Sequence, residues 1–200
     1  RSGVAPNGRS VGLFAPGIKE PIVLTAGRLW DEAKNIGALE QAAPDLKWPV
    51  HVAGDEKHPD GGRAEYSNIK LLGKLSQPEL AGWFSRASIY ALPARYEPFG
   101  LSALEAALAG CALVLGDIPT LREVWEDSAT FVAPDDPQAL KSAVNDLIAN
   151  PAQLAAMAQA ARRRALGFTT EKMAERYSAA YQYMTRAKDT AYTLTPYAVD

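Results

Sequence analysis

Along this chain, short apolar runs alternate with stretches of helical period. The runs are PIVLTAG (21–27), WPVHVAG (48–54), NIKLLG (68–73), SIYALP (88–93), ALVLG (112–116) and ATFVA (129–133). They are apolar almost throughout rather than at every second position. That is the pattern of strands buried on both faces in a parallel sheet. Between them, apolar positions recur every three or four residues, which predicts helices over 34–43, 77–86, 101–109 and 120–125. Ser76 with Glu79 three residues later forms a capping box before the second helix, and Gly110 stands where the third must stop. After Pro134 the segments 138–149, 152–166 and 170–186 all read as helices, with Pro137 and Pro151 at first-turn positions. The repeated strand–helix order predicts an α/β fold: a doubly wound, Rossmann-like parallel sheet with extra C-terminal helices.

The same pattern divides the chain. Residues 1–20, rich in Gly and Pro, read as a linker; 21–168 as the sheet domain; 169–187 as a separate helix; 188–200 as a flexible tail without periodicity. With 200 residues and 48% apolar composition, the chain is long and apolar enough for one buried core. A net charge of −2 gives no basis for nucleic-acid binding, which needs clustered positive charge. Cys111 is the single cysteine, so no internal disulfide forms, and it reads as a small buried apolar residue. No apolar run approaches the ~20 residues that span a bilayer, and the N-terminus lacks a signal-peptide core. The expected setting is cytoplasmic. The absence of an initial Met fits a piece of something longer.

Ligands of open parallel sheets bind at the carboxyl ends of strands. There, the run 88–93 leads into Ala94-Arg95-Tyr96-Glu97-Pro98-Phe99-Gly100-Leu101 and a helix. Glu97 lies in the turn and Glu105 one helical turn inside. Gly100 permits close backbone approach. The N–H groups of Phe99, Gly100 and Leu101 lie at a helix N-terminus, where an anion is favoured. An anion site flanked by carboxylates suits a sugar nucleotide: its hydroxyls need acceptors and its diphosphate needs donors. Glu105 can accept from a ribose diol and Glu97 from a sugar. The first strand ends in Gly27-Arg28, and Lys34 follows. Arg28 offers a fork to phosphate oxygens. Lys34 fits a solvated helix face as well as a phosphate contact. Other charged or polar residues have plainer explanations. His51 lies inside an apolar run, His58 faces solvent, Glu123 is structural, and Arg162-Arg163-Arg164 is a solvated face or, less simply, a contact for anionic lipid. Trp83 and Phe84 read as core.

The segment Glu97-Pro98-Phe99-Gly100-Leu101-Ser102-Ala103-Leu104-Glu105 resembles the E-x7-E motif of retaining GT-B glycosyltransferases, the group of glycogen synthases, sucrose synthases and bacterial mannosyltransferases. Leu92–Tyr96 fits as well. Ala26–Asn35 resembles their diphosphate-clamping segment, and Val4–Gly8 resembles their interdomain hinge. The likeness covers about residues 4–186 in the right order. It implies the C-terminal, donor-binding half of a GT-B fold, in an enzyme of polysaccharide or glycoconjugate biosynthesis. Glu105 then binds ribose, Glu97 faces the donor sugar, and Arg28 with Lys34 holds the departing diphosphate. The N–H groups of Phe99, Gly100 and Leu101 assist, and the loop Lys74-Leu75-Ser76 reads the base. The resemblance implies no metal and no cofactor beyond the nucleotide-sugar donor, transfer with retention, and a separate N-terminal acceptor domain not represented here. It leaves room for peripheral membrane association of the whole enzyme. Three positions depart from the family pattern: Ala94 stands where Ser is frequent, Ala112 and Gly116 where Pro and a small hydroxyl residue are frequent, and the Arg28-to-Lys34 gap is one residue longer. A nicotinamide enzyme is excluded because Gly27–Glu32 lacks G-x-G-x-x-G. A non-catalytic sugar-nucleotide-binding module and an epimerase or phosphorylase-like enzyme remain as alternatives.

Overall fold

The apolar runs form the six strands of one sheet in a computed structural model, which describes residues 4–56, 61 and 65–192. In chain order the elements are β1 (Glu20–Ala26), α1 (Ile36–Ala42), β2 (Val50–Ala53), β3 (Lys70–Gly73), α2 (Gln77–Arg86), β4 (Ala87–Leu92), α3 (Leu101–Leu108), β5 (Ala112–Gly116), α4 (Pro119–Trp125), β6 (Thr130–Val132), α5 (Pro137–Ala149), α6 (Pro151–Ala165) and α7 (Thr170–Tyr192). The strand order is β3-β2-β1-β4-β5-β6, and every pairing is parallel.

Each strand sends successive side chains to opposite faces, so each face carries its own core. Leu24, Tyr90 and Leu113 face a cluster completed by Phe84 of α2, Leu104 and Leu108 of α3 and Trp125 of α4. Val23, Ile89 and Val114 face the other, completed by Leu39 of α1 and Leu140 and Val144 of α5. Fully burying one such side chain contributes roughly 1.5–3 kcal/mol. Two-sided burial explains why the runs lack alternation.

The topology fixes where a ligand can bind. From β1 the chain moves outward to β2 and β3, then returns to place β4 against the other side of β1. The loops leaving β1 and β4 therefore part in opposite directions, which opens a crevice over their carboxyl ends.

Four expectations change. Helix α1 starts at Ile36 rather than at residue 34. Glu32–Lys34 is a 3-10 turn, and Asn35 takes a left-handed conformation (φ 55) that breaks the helix before it. Residues 4–19, expected as part of a linker, lie against the domain: Phe14 is 1% exposed and packs on Phe84. Helix α7 runs to Tyr192, past the expected boundary at 188, because no Gly or Pro interrupts 170–192. The rest of the expected tail, 193–200, lies outside the described residues, as does His58. Finally, the Arg162–Arg164 run is largely turned inward. Arg162 Nε donates to the Leu108 carbonyl (3.1 Å) and Arg164 Nε to the Val124 carbonyl (2.7 Å), at the ends of α3 and α4. Helix C-termini attract cations, so these arginines are helix caps. That leaves Arg163 as the exposed member, too little charge for a lipid patch.

Candidate functional site

The β1–α1 loop and the β4–α3 loop meet at the crevice. Glu97 reaches across it: its Oε2 accepts from Lys34 Nζ at 2.5 Å, and the two side chains are 12% and 16% exposed. Lys34 therefore does not lie on a solvated helix face. The 3-10 turn aims it inward, and Asn35 holds the turn in place. The Asn35 amide donates to the Pro93 and Pro134 carbonyls (2.9 and 2.7 Å), tying the loops after β1, β4 and β6 together. Arg95 N–H donates to the Ala33 carbonyl at 2.9 Å and adds a second tie.

The other carboxylate oxygen of Glu97 turns back onto its own loop. Oε1 accepts from the N–H groups of Gly100 (2.9 Å) and Phe99 (3.3 Å). This corrects the expectation that those N–H groups stand free for an anion, since Glu97 already satisfies two of the three. Gly100 is needed for the turn: its φ of 84 is a conformation that side chains disfavour. Thr120 of α4 fastens the loop from behind, its hydroxyl donating to the Glu97 carbonyl at 2.7 Å. Burial pushes the Glu97 carboxyl up, but the bond and charge of Lys34 with the two N–H bonds outweigh it. The carboxyl is held below its ordinary value.

Glu105 lies on α3, 10% exposed, and its Oε1 accepts from Arg9 Nε at 2.6 Å. Burial raises the Glu105 carboxyl above its ordinary value, while Arg9 opposes that rise. Tyr90, fully buried on β4, bonds Ser102 of α3 at 2.7 Å and the Ala26 carbonyl at 3.3 Å, fixing α3 to the carboxyl end of β1.

One cavity of about 380 Å³ gathers these groups. Gly27, Arg28, Lys34, Glu97, Leu101 and Glu105 line it, together with Arg9. Arg28 and Glu97, whose juxtaposition any single ligand requires, share its wall. Arg28 is 60% exposed, pairs with Asp31 at 2.6 Å and lies 5.1 Å from the Trp30 ring. A second cavity of about 410 Å³ shares Gly27 and Arg28 and continues toward Lys74 and Leu75. Phe99 and Gly100 do not line the first cavity. The Phe99 ring turns away and meets Phe168 edge-on at 5.6 Å.

One departure from the motif pattern, Gly116, has a local cause. Ala94 is fully buried, and Gly116 backs onto it: a Cβ at 116 would lie 2.2 Å from the Ala94 carbonyl oxygen. The Ala94 backbone thus requires glycine at 116, whatever side chain stands at 94. Asp136 caps α5 and Asp135 pairs with Arg95. His51 is half-buried with its ring 5.0 Å from that of Trp83, which sits at the rim, while Phe84 is in the core. Arg9, Asn35 and Thr120 have no role in the sequence reading. Asn35 carries a faint signal there, because Asn tolerates the left-handed conformation. Arg9 and Thr120 carry none.

Residues 20–150 match the family Glycosyl transferases group 1. The chain belongs to the group 1 glycosyltransferases. Glycogen synthase of Mycobacterium tuberculosis is 42% identical over 97 residues, covering 48% of this chain and 23% of that protein. D-inositol 3-phosphate glycosyltransferase of Thermobispora bispora is 31% identical over 124 residues, 59% of this chain and 29% of that protein. In structure, this glycosyltransferase domain superposes on sucrose-phosphate synthase of Thermosynechococcus elongatus with a TM-score of 0.80 at 25% identity, over 92% of this chain and 52% of that one. It superposes on Anabaena Alr3699/HepE, solved in complex with UDP and glucose, with a TM-score of 0.72 at 18% identity, over 88% and 55%. The chain thus spans about a quarter of the curated relatives and about half of the solved ones. Its sheet is that of one domain of the GT-B fold. No helix among the described residues is long and apolar enough to cross a membrane.

Proposed function

We propose that this domain binds a nucleoside diphosphate sugar and that the whole enzyme transfers the sugar to an acceptor with retention of configuration. The observation that carries this is the single cavity where Arg28, Lys34, Glu97 and Glu105 meet at the carboxyl ends of β1 and β4. Two cations there suit a diphosphate, and two carboxylates suit the hydroxyls on either side of it. The diphosphate draws Lys34 from Glu97, which frees Glu97 to accept from the sugar. Glu105 accepts from the ribose, and the Leu75 end of the adjoining cavity takes the base. As the bond from the anomeric carbon to the diphosphate breaks, charge grows on phosphate next to Arg28 and Lys34. Each such preorganised donor is worth about 3 kcal/mol. The new bond to an acceptor hydroxyl forms on the same face, and the acceptor's proton leaves with the phosphate. A second, N-terminal domain of the whole enzyme binds the acceptor.

The test is calorimetric titration of UDP, GDP and ADP into this chain, starting with UDP because Alr3699/HepE was solved with it. One nucleotide is expected to bind, and Arg28→Ala to weaken it by about tenfold or more, as loss of a charged hydrogen bond does. Binding of none of the three overturns the proposal. Sugar transfer to an added acceptor by this chain alone would refute the need for a second domain.

A further inference from the structure

Arg9 enters the crevice from the segment that precedes the sheet, 96 residues away from its partner Glu105. Its backbone is held independently of that contact. Its N–H donates to the Phe168 carbonyl at 3.1 Å, and Arg9 forms a parallel bridge with Thr169 at the foot of α7. The guanidinium is therefore delivered to the cavity by the course of the chain and is not a loose surface arm.

Several charged groups surround Glu105. Arg28 and Lys34 face the cavity from the β1–α1 loop and Glu97 from the β4–α3 loop, while α2 contributes the apolar Leu80. Arg162 of α6 is spent on the Leu108 carbonyl. Lys34 is spent on Glu97 and Arg28 on Asp31. Arg9 is the cation bonded to Glu105 itself. A buried carboxyl reverts to its neutral form unless a charge opposes that, and the neutral form gives up acceptor capacity. A carboxylate has room for about four hydrogen bonds, and Arg9 fills one.

We infer that Arg9 is a positioning residue for the nucleotide: it holds Glu105 ionised and turned into the cavity, with the remaining acceptor sites open to the ribose hydroxyls. This rests on the nucleotide-binding reading above. It adds to that site a residue from the hinge-like segment, so the ribose contact depends on how residues 4–19 lie against the domain.

The experiment titrates UDP, GDP and ADP into the chain at pH values on either side of the Glu105 titration, which burial raises. It uses the unaltered chain, Arg9→Met and Arg9→Lys, and follows the Glu105 carboxyl by carbon-13 NMR. Arg9→Met is expected to weaken binding more at the acidic end than at the alkaline end, because a carboxyl without its cation takes up a proton at higher pH. The Glu105 titration moves up in Arg9→Met, and Arg9→Lys restores both readouts in large part. Arg9→Met binding as the unaltered chain does across the range overturns the inference. So does an equal loss at every pH with the Glu105 titration unmoved, which is the mark of a merely structural residue. If the unaltered chain binds none of the three nucleotides, the nucleotide reading itself falls, an outcome separate from a defect confined to the variants.

Discussion

Two half-buried lysines lie at opposite ends of this sheet. Lys19, at the amino ends of β1, β4 and β5, donates to the carbonyls of Phe84 (3.1 Å), Ala87 (2.8 Å) and Ala109 (2.7 Å), and lies 3.8 Å from Cys111 Sγ. Those carbonyls end α2, begin β4 and follow α3, so the fold itself supplies them. All three ammonium donors are used, and nothing at that end can exchange. Burial lowers the Lys19 ammonium and pushes the Cys111 thiol up to about 11. Lys34, at the carboxyl ends, has a side-chain carboxylate for its partner, beside a cavity. A side chain can let go where a backbone cannot. The first lysine stabilises the domain; in the function proposed above, the second trades Glu97 for the donor diphosphate.

The largest effect that separates the two ends is on Lys19. Lys19→Met removes the ammonium from three carbonyls, two of which keep only the weak Cys111 thiol as donor, and is expected to cost about 3 kcal/mol, read from urea unfolding. Nucleotide affinity of the folded protein stays as it was; a parallel loss of affinity would mean the ends are coupled. Arg28→Ala tests the converse. Its exposed pair with Asp31 contributes at most about 1 kcal/mol to stability. Thermal unfolding hardly moves, while calorimetry shows the loss of nucleotide binding described above. A drop in stability with affinity intact would assign Arg28 to the fold.

Smaller, and readable from pH alone, is the contribution of Glu97. Its carboxyl titrates lower in the folded state than in the unfolded chain, whose value is about 4.3. The folded state thus binds fewer protons, so this stabilisation is complete above the unfolded value. It is lost as pH falls through the folded one. Glu97→Gln is expected to flatten that acid limb in unfolding midpoints measured from about pH 5 downward, since its amide does not titrate there. An unchanged limb would mean the Lys34 pair does not persist in solution. Smallest is Thr120→Val, which removes one hydroxyl bond to the Glu97 carbonyl and costs about 1 kcal/mol in urea unfolding. Its effect belongs to the loop, so hydrogen exchange at Phe99 and Gly100 speeds up more than exchange at Leu113 in the sheet centre.

The strands were legible because two-sided burial leaves a continuous apolar record, and β5 falls at 112–116 as its run predicts. The boundary of α1 was not. Residues 34 and 35 carry a helix-compatible pattern, and only the ties from Asn35 to Pro93 and Pro134 force them out of it. The cavity residues were legible for a related reason: Arg28 and Glu97 follow strand ends, Glu105 lies one turn into the helix after the second of them, and the strand order brings those ends together. Arg9 and Thr120 lie far along the chain from the groups they touch, so no local pattern marks them.

Local chemistry therefore specified which segments become strands and helices, and which charged side chains stand at the carboxyl ends of strands, because those properties depend on neighbours one to four residues apart. Pairing is a different matter. That Lys34 meets Glu97, that Arg9 meets Glu105, and that Lys19 finds carbonyls from three separate elements all depend on contacts across 63 to 96 residues. Such contacts exist only once the sheet has closed and its loops have been brought to a common edge.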